Sequence, residues 1–132
     1  LNTFCNIIRY ITKDKMKTIS RFIDCIKTDV EFIIGGNAQE NHDIIDGAQP
    51  DDLWFHVNGL PSCHVIAKIN DLGKLEKKAI QKIAIQGALL CKEHSSTKSQ
   101  KNVLIDYTKI SCVTKLDVPG SVSLSSHKTM TL

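Results

Sequence analysis

Apolar and polar positions alternate with a period of two in several short stretches of this chain, and recur every three to four residues in one long stretch. Residues 19–26 read as a strand, Lys27-Thr28-Asp29 as a turn, and residues 30–34 as the partner strand. In that partner Val30, Phe32 and Ile34 form one face. Gly35-Gly36 breaks the strand with permissive backbone. Asn37, three residues before Glu40, predicts a capped start to a short helix through Ile44 and Ile45 that ends at Gly47. The longest helical pattern runs from Lys74 to about His94, with Ala79, Ile80, Ile83, Ala84, Gly87, Leu90, Cys91 and His94 on its inner side. Its outer side carries Lys74, Lys77, Lys78, Gln81, Lys82 and Glu93. Gly87 costs this helix about 1 kcal/mol relative to Ala and predicts a close helix–sheet approach. Further short strands are predicted over residues 103–107, 110–115, 121–124 and 129–132, with a turn at Pro119-Gly120. The pattern as a whole is α+β: a mostly antiparallel β-sheet with one long and one short helix packed on it.

The stretch from Asp52 to Ile66 organises these elements as a hairpin, and its register decides what the hairpin presents. A two-residue turn at Asn58-Gly59 would set Leu53 against His64, a poor match. A loop over Asn58 to Ser62 instead pairs Phe55 with Val65, Trp54 with Ile66, Leu53 with Ala67 and Asp52 with Lys68. That register matches apolar residues on one face and sets His56 beside His64, with Trp54, on the other. Two imidazoles and an indole on one side of a hairpin form a candidate site.

The hairpin sequences D-L-W-F-H-V and P-S-C-H-V-I resemble the NFACT-R family, the RNA-binding-type domain of ribosome-associated quality-control factors and fibronectin-binding protein A-like proteins. Residues 34–41, with Gly35, Asn37 and Asn41, resemble that family's Gly-Arg-Asn-Ala turn and helix start, except that Gly36 stands where the family usually has Arg. Val103 to Thr108, with Asp106 and Tyr107, resembles its Val-x-Val-Asp-Tyr-Thr strand, and Lys115 with Pro119-Gly120-Ser121-Val122 resembles its closing segment. Ser62-Cys63 replaces the family's common Gly-Ser/Ala. The resemblance spans roughly residues 19–132 and implies RNA as the partner, with tRNA or rRNA and the translation apparatus as its setting.

At 132 residues the chain is long enough for one domain with a substantial core. The expected division is an N-terminal extension over residues 1–15, of unassigned structure although Ile7, Ile8 and Ile11 would allow a short helix, followed by a single NFACT-R-like domain over residues 16–132; Met16 is a sensible start for that domain. Cys5, Cys25, Cys63, Cys91 and Cys112 are odd in number and contain no C-x-x-C, so all five are expected to be free thiols in a reducing, cytoplasmic setting. No apolar run approaches the ~18–20 residues that span a bilayer, and no membrane association is expected. The charge is uneven. Residues 1–73 hold seven Lys/Arg and ten Asp/Glu, whereas residues 74–132 hold ten Lys and four acids. A lysine-rich half can meet phosphates, or it can be an ordinary solvated surface.

Catalytic and cofactor motifs are weak, and no cofactor is expected. Gly35-Gly36 is neither a P-loop nor a dinucleotide fingerprint, although a Gly-Gly-to-helix junction can hold an anion. His56 and His64 supply two zinc ligands where three or four are needed, and His42 and His94 have no assigned place. Cys63 and His64 are sequence neighbours in a strand and point apart. Non-enzymatic RNA binding fits better. Trp54 is a candidate to stack on an unpaired base, unless it is a core residue under the lysine-rich helix. His56 and His64 are candidates to donate to phosphate or base edges, and Lys68, Lys98, Lys101, Lys109 and Lys115 to follow the backbone. The alternatives are a protein-interaction adaptor of the translation apparatus, using the basic helix or a sheet edge, and a metal-dependent hydrolase centred on the two histidines.

Overall fold

The computed structural model describes residues 16–132. The predicted extension, the short helix through Ile7, Ile8 and Ile11 that its apolar residues would allow, and Cys5 lie outside these residues. Period-two alternation yields the expected strands: β1 (Lys17–Ile23), β2 (Thr28–Ile34), β3 (Leu53–Val57), β4 (Val65–Lys68), β5 (Leu104–Lys109), β6 (Val113–Lys115), β7 (Val122–Leu124) and β8 (Lys128–Thr131). The helices are α1 (Ala38–Asp46) and α2 (Lys77–Glu93). Six strands form one sheet in the order β1-β2-β4-β3-β5-β8, and β6 and β7 form a separate pair. Every pairing is antiparallel. The α+β architecture is therefore the one the pattern predicts.

Some element boundaries fall elsewhere. The first strand stops at Ile23, where one 3₁₀ turn over Asp24–Ile26 and left-handed Lys27 (φ 54°) tighten the connection to β2. The long helix begins at Lys77 rather than Lys74, because Gly73 takes φ 78° and Glu76 is still extended. Ile110–Cys112 form a 3₁₀ turn, so only the last three residues of the strand predicted over 110–115 pair.

One face of the large sheet packs on α2. Phe32, Phe55, Val65 and Ile105 meet Ile83, Ala84, Ala88 and Leu90 in a core that excludes water. Gly87 allows this close packing, since a Cβ there would lie 2.3–2.8 Å from the Phe55 ring. The opposite face carries a smaller apolar cluster, where Trp54 and Ile66 are covered by Ile44 and Ile45 of α1 and by the β6–β7 pair. Trp54 is thus a core residue, 2% exposed, but on the side away from the lysine-rich helix.

Candidate nucleic-acid interface

The hairpin adopts the five-residue-loop register: Leu53 opposes Ala67, Trp54 opposes Ile66 and Phe55 opposes Val65. At its open end Asp52 is wholly buried. Its carboxylate accepts from the backbone N–H groups of Gln49 (2.8 Å), Ile69 and Asn70 (both 2.9 Å) and pairs with Lys68 Nζ at 2.9 Å. Burial pushes the Asp52 carboxyl up, but Lys68 and the Gln49 and Asn70 amides outweigh it and hold the group below its ordinary range. The same lysine donates to the Gly47 carbonyl at 3.1 Å and so ties the hairpin to the end of α1.

Towards the loop the two imidazoles lie side by side as the register requires, with ring centroids 5.0 Å apart and nearly perpendicular. His64 is 1% exposed. Its Nδ1 accepts from Trp54 Nε1–H at 3.1 Å, which leaves the proton of the neutral ring on Nε2, towards the Gly120 carbonyl. Burial first, then the neighbouring His56 and His42, push His64 down to about 3 against the opposing Gly120 carbonyl. His64 is therefore neutral at physiological pH and faces the Gly120 carbonyl of the turn that closes over it. His56 stacks on Trp54 with planes 2° apart, and its Nδ1–H donates to the Val57 carbonyl at 2.6 Å. Burial pushes His56 down as well, against the raising effects of that carbonyl and of Asp106.

Asn41 holds this arrangement from α1. Its Oδ1 accepts from the His64 backbone N–H at 3.0 Å, and Gly35 N–H donates to the His64 carbonyl at 3.0 Å. Glycine is needed at position 35 because a Cβ would stand 2.2 Å from Asn41 Oδ1. The Asn37 cap forms as its spacing predicts: Asn37 Oδ1 accepts from Glu40 N–H at 2.9 Å. Glu40 in turn accepts from Gly36 N–H at 2.8 Å. The chain's own carboxylate thus occupies the Gly-Gly-helix junction that could otherwise hold an anion. On the far side His42 Nε2–H donates to the Ser121 carbonyl at 3.1 Å, so two histidines pin the Pro119-Gly120-Ser121 turn over the sheet.

Between that turn, the start of α1 and the hairpin loop lies a cleft of about 820 Å³. His56, His94, Leu60 and Asp106 contribute to its walls, with Trp54 and His64 at its base. His94 caps the end of α2, and its Nδ1–H donates to the Leu90 carbonyl at 3.0 Å. His56 and His94 each keep Nε2 without a protein partner among the described residues. Asp106 sits opposite His56 across β3–β5 and accepts from Asn58 Nδ2 at 3.0 Å and Thr129 Oγ1 at 2.8 Å, so its carboxylate braces the loop. No group of three or more His, Cys, Asp or Glu side chains able to hold a metal ion occurs among the described residues.

A family model described as the NFACT protein RNA binding domain matches residues 20–126. The chain belongs to this NFACT-R family. It is 27% identical over 102 residues to the Rqc2 homolog RqcH of Bacillus subtilis (strain 168), a match covering 75% of this chain and 17% of that protein. It is 38% identical over 79 residues to a coiled-coil domain-containing protein 25 homolog of Dictyostelium discoideum, covering 51% of this chain and 37% of the relative. The bovine coiled-coil domain-containing protein 25 is 40% identical over 43 residues, covering 33% and 21%. The C-terminal part of the fibronectin/fibrinogen-binding protein from Streptococcus suis shares the fold, with a TM-score of 0.67 and 22% identity over 78% of this chain and 41% of that one. The matched region is therefore less than half of each of these proteins.

In this NFACT-R domain the motif residues act mainly as braces. Gly35, Asn37, Asn41, Asp52 and Asp106 make the hydrogen bonds and close approaches given above, and Tyr107 stacks on Phe55 in the α2 core at 5.9 Å. Pro119 and Gly120 form the turn over the cleft, with Gly120 at φ 86°. The five lysines do not converge. Among the described residues no lysine lines the cleft. Lys68 pairs with Asp52, Lys109 with Asp51 at 3.5 Å, and Lys115 with Asp46. Lys98 and Lys101 are exposed and have no carboxylate partner among the described residues. Burial leaves His64 and Trp54 little surface to offer a nucleotide, and Trp54 takes the core position that stood as the alternative to stacking. The pattern of the sequence does not place His42, His94 or Asn58, because the groups they organise are remote along the chain.

Proposed function

We propose that this NFACT-R domain is a non-enzymatic RNA-binding module of the cytoplasm, taking tRNA or rRNA in connection with translation or ribosome-associated quality control. Membership of a family described as an RNA binding domain carries the reading. The likeness to RqcH supports its ribosomal setting. Lys98 and Lys101 supply the first phosphate contacts, since neither must give up a carboxylate. Lys68, Lys109 and Lys115 contribute only by exchanging an aspartate for a phosphate. His56, whose burial favours the neutral ring, offers its Nε2 to a base edge or a 2′-hydroxyl entering the cleft, and His94 presents a second unpartnered Nε2 beside it. Trp54 and His64 position that wall from beneath.

Filter binding of tRNA and of an rRNA fragment across a salt series tests this. Reversing Lys98 and Lys101 to Glu should weaken binding to both RNAs. It should also flatten the log–log salt slope by roughly 0.7–0.9 for each phosphate that is no longer neutralised. Reversing Lys115 should do less, and His56→Ala should change the preference between RNAs rather than the slope. A folded protein that retains no RNA at low salt, or a double reversal without effect, would overturn the reading.

A further inference from the structure

The two edges of the large sheet differ. Strand β8 is four residues long and begins with Lys128. Strand β1 is seven residues long, contains no proline and pairs with β2 without interruption from Lys17–Ile34 to Ile23–Thr28. Nothing among the described residues pairs with its outer side. A long regular edge is a template for pairing with another chain, and folded proteins usually shorten, bend or cover such edges.

Beside this edge, α2 raises a partly apolar wall. Two cavities of about 340 and 160 Å³ run along the seam and share Gln86. Arg21, Leu89, Lys92 and Lys98 bound the first, and Phe22, Lys82 and Ile85 bound the second. Ile85 and Leu89 lie one helical turn apart and are 37% and 42% exposed. Arg21, Lys82, Lys92 and Lys98 outnumber the seam's acids, Asp24 and Glu93, and Lys27 already engages Asp24 at 3.2 Å. A second copy of this chain would bring the same cations face to face. RNA could use the cations but not the aliphatic pair or the strand's free N–H and C=O groups. An acidic peptide uses all three.

We propose that the seam between β1 and α2 docks an extended acidic segment of a partner protein. The segment adds a strand to β1, lays apolar side chains on Ile85 and Leu89, and sets carboxylates against Arg21, Lys82 and Lys92. This surface is separate from the histidine cleft and shares only Lys98, at its rim, with the RNA reading, on which the inference does not rest.

The full chain should be titrated with a fluorescein-labelled twelve-residue peptide of repeating Glu-Thr-Ile-Thr, which puts its carboxylates and its apolar side chains on the same strand face, followed by anisotropy and by amide exchange at β1. A peptide with proline at alternate positions and a twelve-residue oligouridylate serve as controls. The acidic peptide should bind and slow exchange at the outward amides of β1, and the proline peptide should not bind. Leu89→Glu and the Lys82→Glu/Lys92→Glu pair should each weaken the peptide about tenfold or more, equivalent to about 1.4 kcal/mol, with circular dichroism unchanged. Leu89→Glu should leave RNA retention intact, so failure here is distinguishable from failure of the RNA reading. Four outcomes overturn the proposal: equal binding of the proline peptide, displacement by oligouridylate that persists in the Lys98→Glu/Lys101→Glu protein, outward β1 amides already protected in the free chain, or a dimer that Leu89→Glu dissolves.

Discussion

The two faces of the six-stranded sheet are built on different physics. The α2 face holds Phe32, Phe55, Val65 and Ile105 against a helix, and what keeps it together is shape and the exclusion of water. The other face places Trp54, His56 and Asp106 on β3 and β5, with Asp52 and His64 immediately before β3 and β4, and nearly every one of them is held by a named hydrogen bond. An apolar face tolerates some repacking as long as volume is kept. A buried polar network does not, because removing one partner strands another group in a dry environment. The candidate interface lies on the polar face, so changes meant to probe binding there also threaten the scaffold.

The sharpest contrast comes from Asp52. Asp52→Ala removes the acceptor of three backbone N–H groups and the partner of Lys68, and should destabilise the protein by about 3–5 kcal/mol in urea unfolding. Asp52→Asn retains the shape and should recover part of that stability. If Asp52→Ala cost no more than an ordinary surface substitution, the claim that hydrogen bonds hold this face would fail.

How much of each face can be read from the chain follows from the same difference. Alternation at Val30, Phe32 and Ile34 and the three-to-four spacing from Ala79 to Cys91 are local signals, and the α2 core follows from them directly. The hairpin register is also legible, because only one loop length matches apolar residues across it. The roof of the cleft is not. His42 bonds to Ser121, 79 residues away, and Asn58 bonds to Asp106, 48 residues away. Neither pair is implied by any period in the sequence. The direction in which Trp54 is covered is hidden for the same reason, since its cover comes from α1 and from the two-strand pair β6–β7, whose placement no local pattern specifies. Composition identifies the basic half of the chain, yet it cannot reveal that three of the five candidate lysines are paired with aspartates from the acidic half.

Gly87 probes the apolar face with a smaller effect. In an exposed helix Gly→Ala is worth about 1 kcal/mol of stabilisation. Here the added methyl would meet the Phe55 ring, so Gly87→Ala should instead destabilise by about 1–3 kcal/mol. Combining it with Phe55→Leu should destabilise by less than the sum of the single changes, as touching residues that share a volume are not additive. Strict additivity in a double-mutant cycle would show that the close helix–sheet approach is not what requires glycine.

The most graded test sets the faces apart by pH. His64 is neutral in the folded protein, where its pKa is about 3, and ordinary once the chain unfolds, near 6.5. Above about pH 6.5 neither state binds the extra proton and the folded form keeps its full stability. Below that the unfolded chain takes up a proton that the folded chain refuses, so stability should fall by up to about 1.4 kcal/mol per pH unit as pH drops towards 3. His56, also pushed down, adds in the same direction. Asp52 is held below its ordinary 3.8, so its stabilisation persists above that value and is lost only at lower pH as the carboxyl protonates. The interval from pH 6.5 to 4 therefore reports mainly on the two histidines. Urea unfolding at half-unit steps across it should show the decline in the native protein and a shallower one in His64→Gln, whereas Gly87→Ala should shift the whole curve without altering its slope. A native slope unchanged by His64→Gln would mean that the buried imidazole is not the group that ties this face to pH.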